Sequence, residues 1–221
     1  MSSTVRVWDL PTRIFHWALV ACVVASAITG YIGGTVMVWH FRCGYAVFSL
    51  LLFRILWGLV GGRWSRFASF IYSPASLVNY LRGRGRPEHS VGHNPLGAGS
   101  VFALLGFLGA QVATGLLSDD EIAFAGPLTP FVSNATVSQA TSYHKQIGQW
   151  VLIALVVLHV LAILFYLWKK KDNLIKPMIL GDKQLAAPQP SSRDDALSRI
   201  GAVVLFGLCA ALVAWLVALG G

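Results

Sequence analysis

Apolar positions fall in five long runs, separated by short polar or glycine-rich stretches: about 14–32, 39–60, 95–117, 144–168 and 200–219. Each run is near or above the 18 residues at which a helix spans the roughly 30 Å hydrocarbon core of a bilayer. The pattern therefore predicts an all-α integral membrane protein with five spans. Asn94-Pro95 supplies a cap and a first-turn proline for the third span. Lys169-Lys170-Lys171 closes the fourth. Between spans two and three, Ser73-Pro74 predicts a short helix to Leu81, preceded by Phe67, Phe70, Ile71 and Tyr72. This stretch is expected to lie along the membrane surface, where aromatics and arginines are favoured.

The distribution of charge fixes an expected orientation. Arg6 and Arg13 precede span one, Arg63, Arg66, Arg82, Arg84 and Arg86 follow span two, and Lys169, Lys170, Lys171, Lys176, Lys183, Arg193 and Arg199 follow span four. These segments share one side. The other side holds Arg42, Lys145 and the acidic run Asp119-Asp120-Glu121. The N-terminus is thus expected in the cytoplasm, the 118–143 loop and the C-terminus in the periplasm, and the whole chain in a bacterial inner membrane. Read this way, the net charge of +8 reports topology and no nucleic-acid partner. Cys22, Cys43 and Cys209 are isolated, with no CxxC or CxxCH, so zinc knuckles, thioredoxin-like chemistry and covalent c-type haem are not indicated. There is no P-loop, no dinucleotide fingerprint and no evident internal repeat. Gly106 and Gly109 in span three suggest close helix packing.

Ligating side chains inside a membrane are costly and are functional candidates by default. Four of the six histidines, His16, His40, His144 and His159, lie in the spans. His40 and His144 open spans two and four on the outer side. His16 sits near the inner end of span one. His159 is fifteen residues beyond His144, about 22 Å along a helix, in the inner half. Two levels with two imidazoles each is the set that two stacked bis-histidine haems require. Gly44 and Gly148 each lie one turn after an outer histidine and are expected to leave a low wall for a flat macrocycle. Arg54, fourteen residues after His40, suits either an anionic propionate of the inner haem or snorkelling to headgroups. His89 and His93 are expected as solvated loop residues, His93 with a possible share in capping span three. The residues Phe124–Pro130 are read as a rigid turn or a cover over the outer end. No residue is singled out as catalytic.

Several stretches resemble the bacterial cytochrome b561/nickel-hydrogenase b-type cytochrome family. They are Val7-Trp8-Asp9-Leu10-Pro11-Thr12-Arg13-Ile14-Phe15-His16-Trp17, His40-Phe41-Arg42-Cys43-Gly44-Tyr45 with Arg54, Gly92-His93-Asn94-Pro95-Leu96-Gly97, and Ser142-Tyr143-His144 through His159 to Lys171-Asp172-Asn173-Leu174. The resemblance implies a four-helix transmembrane bundle with two haem b, ligands at His16, His40, His144 and His159, and electron exchange with membrane quinone or a redox partner. The expected organisation is a cytochrome b561-like domain over 1–181, a cytoplasmic linker over 182–198 and an additional C-terminal helix over 199–221. That fifth helix lacks histidine and is expected to pack on the bundle, a second protomer or a partner. The leading expectation is a carrier between the quinone pool and a partner such as a periplasmic c-type cytochrome, an electron-transfer cytochrome b that acts at most as a quinone oxidoreductase. The alternatives are a stand-alone superoxide–quinone oxidoreductase, a b subunit of a hydrogenase or dehydrogenase, and a cofactor-free anchor or transporter. The acidic outer loop suits a basic protein better than an anion.

Overall fold

A computed structural model of the chain describes residues 3–220. The helices are α1 Leu10–Ile32, α2 Met37–Val60, α3 Pro74–Leu81, α4 Pro95–Leu116, α5 Asn134–Ser142, α6 Gln149–Trp168, α7 Ile175–Leu180 and α8 Ala196–Ala218. A π-helical turn, Tyr143–Gly148, joins α5 to α6, so the fourth span is one rod over Asn134–Trp168. The two short strands β1 Ser3–Arg6 and β2 Asp182–Leu185 pair antiparallel, with Arg6 opposite Asp182. Five helices are long and apolar enough to cross a membrane, as the hydropathy pattern predicts.

The helix starts differ from the apolar runs because caps, not hydropathy, set them. Asp9 accepts from the Thr12 amide at 2.8 Å and starts α1 four residues before Ile14. Ser133 accepts from the Thr136 amide and starts α5 ten residues before His144, in a stretch too polar to register as a span. Asp195 accepts from the Ser198 amide at 2.7 Å and starts α8 at Ala196. The short helix after Ser73-Pro74 is present, with Ser73 as its cap.

The chain forms two compact units. One comprises the residues up to Phe15, Arg54–Ala103 and Val157–Val203; the other comprises His16–Phe53, Leu104–Val156 and the residues from Val204 on. We call them the Asp9 unit and the His40 unit.

The Asp9 unit has its core in Val5, Val7, Trp8, Trp64, Val91 and Leu185. The Asp9 carboxylate is fully buried and, besides capping α1, accepts from the Gly62 amide at 3.0 Å, Ser65 Oγ at 2.8 Å and Trp57 Nε1 at 3.2 Å. A side chain at Gly62 would collide with that carboxylate. Residues 181–195 connect α7 to α8 and are held down at several points. Trp64 Nε1 donates to the Pro190 carbonyl at 2.8 Å, Ser192 Oγ donates to the Val7 carbonyl at 2.7 Å, and the Ser192 amide donates to the Arg6 carbonyl. Arg6 bridges Asp182 and Asp194. Burial pushes the Asp194 carboxyl up, but Arg199, the Leu10 amide and Arg6 together hold it below the ordinary carboxylate range.

The residues expected on the membrane surface split. Ile71 is exposed, whereas Phe70 is buried against His93 and Phe102. His93 is therefore not a solvated loop residue: its ring lies 4.8 Å from that of Trp8 and 4.5 Å from that of Phe70. The cap of α4 is Asn94, which accepts from the Gly97 amide at 2.8 Å. His89 also departs from the solvated reading, packing edge-on against Tyr72 and Tyr80.

In the His40 unit, α8 packs on the chain's own α2. Phe206 meets Phe53, and Cys209 and Val213 are buried. A groove of about 390 Å³ remains beside them, lined by Tyr45, Ala46, Ser49, Ala210, Val213 and Ala214. Gly106 and Gly109 face open space, so the close packing expected at these two positions does not occur there.

Candidate haem site

The His40 and His144 rings come together, with centroids 6.0 Å apart and planes at 89°. A metal–imidazole bond is about 2.0–2.1 Å long, which puts the centres of two rings clamping one ion roughly 6 Å apart. Each ring is oriented from behind. His40 Nδ1 lies 2.8 Å from the Ser26 carbonyl oxygen, and His144 Nδ1 lies 2.9 Å from the Gln111 carbonyl oxygen. A carbonyl only accepts, so Nδ1 carries the proton in both rings and Nε2 keeps its lone pair for a ligand. Among the described residues no group of three or more His, Cys, Asp or Glu gathers for a bare metal ion. Two imidazoles alone fit an iron whose other four positions are filled by a porphyrin.

Small residues make room for these rings, though not all at the expected places. A Cβ on Gly30 would stand 2.8 Å from His40 Nδ1, and one on Gly115 would stand 2.8 Å from His144 Cε1. Sequence reasoning missed both glycines, because each serves a histidine on another helix rather than one a turn away. Gly44 has nothing within 4 Å of its missing Cβ. Gly148 does not leave the low wall expected there: it is buried, and its bare face is taken up by Gln111 Oε1 and Tyr143. Its smallness serves the packing of the π turn. That turn carries His144 itself, and Gln111 Nε2 donates to the His144 carbonyl at 3.0 Å. π turns concentrate at functional sites because they re-aim a side chain within a helix.

The loop after α4 folds back over this end. The Gly126 amide donates to the Ser118 carbonyl and the Leu128 amide to the Leu116 carbonyl. Phe124 lies against Phe41, which meets His40 edge-on. Asp120 accepts from the Phe124, Ala123 and Ile122 amides, and these hold its carboxyl below the ordinary range. The loop therefore stays anionic.

His16 and His159 are both half-buried. His16, on α1 in the His40 unit, meets Trp17 edge-on. His159, on α6, belongs to the Asp9 unit, with exposed Leu158 and Val160 beside it. Arg54 is in the same unit, only 3% exposed, its guanidinium 4.7 Å over the Phe67 ring. Its Nη1 is buried with no hydrogen-bond partner. A buried, unsatisfied guanidinium nitrogen suits an anionic group and does not suit snorkelling, which would expose it.

Five apolar spans and a pair of imidazoles whose spacing fits an iron point to a membrane-embedded b-type cytochrome, a class that carries electrons. The chain belongs to the prokaryotic cytochrome b561 family, whose model matches residues 7–181. It is 26% identical over 211 residues to the probable Ni/Fe-hydrogenase 1 B-type cytochrome subunit of Escherichia coli K12, covering 79% of this chain and 88% of that protein. The probable Ni/Fe-hydrogenase B-type cytochrome subunit of Bradyrhizobium diazoefficiens is 25% identical over 219 residues, covering 82% and 86%. That of Azotobacter vinelandii is 27% identical over 230 residues, covering 85% and 92%. No solved structure matches the chain.

Proposed function

We propose that this protein binds two haem b and carries electrons across a bacterial inner membrane, between quinone in the bilayer and a redox protein docked outside. The observation that carries the reading is the His40–His144 pair, 6.0 Å apart with both Nδ1 atoms bound to carbonyls. Bound haem b supplies a one-electron iron couple. The chain supplies the axial nitrogens from His16, His40, His144 and His159. Ser26 and Gln111 orient the outer imidazoles through their carbonyls, Gly44 leaves room beside His40, and Arg54 offers its free Nη1 to an inner propionate. Phe41 and Phe124 keep water from the outer pair. Lys and Arg placement supports a cytoplasmic N-terminus and a periplasmic C-terminus.

A second reading narrows the partner. The curated relatives are named as subunits of Ni/Fe hydrogenases, which supports a hydrogenase as the electron donor. The acidic turn Asp119-Asp120-Glu121 then belongs to the docking face and favours a basic patch on the donor.

The test is reconstitution in liposomes with quinol. Quinol is expected to reduce the b absorption bands to the level reached with dithionite. Bands that stay oxidised with every quinol tried would contradict a quinone-linked carrier. Reduction of quinone by superoxide with the purified chain alone would favour a stand-alone enzyme instead.

A further inference from the structure

The two outer imidazoles are seated by the same short pattern, Ala followed four and five residues on by Thr-Gly. Ala25-Ser26-Ala27-Ile28-Thr29-Gly30 on α1 holds His40, and Ala110-Gln111-Val112-Ala113-Thr114-Gly115 on α4 holds His144. In each, the glycine faces the ring and the carbonyl four residues earlier accepts its Nδ1–H. In each, the threonine hydroxyl also lies across two carbonyls. Thr29 Oγ1 is 2.6 Å from the Ala25 oxygen and 3.3 Å from the Ser26 oxygen; Thr114 Oγ1 is 2.7 Å from the Ala110 oxygen and 3.1 Å from the Gln111 oxygen. The carbonyl that receives the imidazole proton is therefore shared with a hydroxyl, besides the helix's own amide. Repeating this arrangement on both sides of one site is more than helix back-bonding by threonine demands, since nothing in helix formation places it behind both rings.

We propose that Thr29 and Thr114 are positioning residues that set the electron-donor strength of the outer ligands. A carbonyl accepting from a threonine hydroxyl has less electron density for the Nδ1–H. The imidazole then keeps more of its proton and is a weaker donor through Nε2. Weaker donation disfavours ferric iron, so the two hydroxyls raise the potential of the outer centre. The effect is larger for Thr114, whose hydroxyl is nearer the shared oxygen. The inference rests on haem ligation by His40 and His144.

The experiment is a spectroelectrochemical titration and EPR of the purified, haem-loaded chain. It compares wild type with Thr29→Val, Thr114→Val and the corresponding serine variants, the outer centre being assigned by its loss in His144→Ala. Removing one hydrogen bond changes an equilibrium by about two- to tenfold. The reduced-to-oxidised ratio of the outer centre at fixed potential is therefore expected to fall by about that factor in each valine variant. The larger fall is expected in Thr114→Val, with altered g values and an unmoved inner centre. Serine restores the hydroxyl and is expected to restore the wild-type ratio. Unchanged or raised ratios in both valine variants, or serine variants that behave like valine, would overturn the proposal. Where a valine variant loses the outer centre, a serine variant with the wild-type ratio supports it and one equally empty overturns it. A wild-type protein with no outer low-spin centre would overturn the haem reading itself, a result distinct from unmoved valine variants of a two-centre protein.

Discussion

The two units treat buried polar groups in opposite ways. In the Asp9 unit the central carboxylate is saturated: it takes hydrogen bonds from Thr12, Gly62, Ser65 and Trp57, and no lone pair is left for anything else. In the His40 unit each central imidazole is held through Nδ1 by a backbone carbonyl, which leaves the lone pair on Nε2. A closed network fixes chain segments in place, since breaking it leaves unpaired donors in a dry interior. An open one presents a ligand. Arg54, in the Asp9 unit, shares the open character, with Nη1 unsatisfied.

The contrast can be broken most drastically at the histidines. His40→Ala or His144→Ala is expected to remove one low-spin haem from two while the other stays, measured as pyridine haemochrome per chain. Loss of neither would merge the two units in kind. Asp9→Ala should do the reverse. It strands several donors, each costing about 1–3 kcal/mol when buried, so a loss on the order of 3 kcal/mol is expected in thermal or denaturant unfolding, with the spectrum of the folded fraction unaltered. Arg54→Leu sharpens the comparison within the Asp9 unit. If Arg54 pairs with a propionate of the inner haem as proposed, removing its positive charge favours the ferric state, and the potential of that haem is expected to fall by tens of millivolts, where a tenfold ratio is about 59 mV for one electron. An unmoved potential would remove the propionate role.

The smallest effect is in pH. The folded Asp194 carboxyl sits below its ordinary range, so the unfolded chain binds that proton more readily. Its stabilisation is present above about pH 4 and is lost as pH falls through the folded value. Limited proteolysis of the β1–β2 region should accelerate only in that acid window, and Asp194→Asn should lack the acceleration.

What could be read from the chain beforehand follows from what each signal depends on. The spans were legible because 18 or more apolar residues have one physical meaning in sequence, and His40 and His144 stood out against them. The early starts of α1, α5 and α8 were legible only as caps, at Asp9, Ser133 and Asp195, which hydropathy ignores. The seats at Gly30 and Gly115 were invisible, because they depend on which helix lies beside which, and no spacing within one helix encodes that. For the same reason the spacing of Gly148 from His144 suggests a haem wall, whereas its neighbour is Gln111. The π turn around His144 leaves no hydrophobic period to read. The packed course of residues 182–195 was hidden behind a Pro/Ser composition that reads as a tether, although Ser192 and Pro190 are anchored by hydrogen bonds.

The central claim is that each polypeptide holds two b haems by paired imidazoles. The most direct measurement is haem-to-protein stoichiometry on the purified wild-type chain, with EPR of the oxidised form. Two haems per chain, both low-spin and both bis-histidine, are the predicted result. One haem, or a high-spin centre that binds added ligands freely, would contradict it.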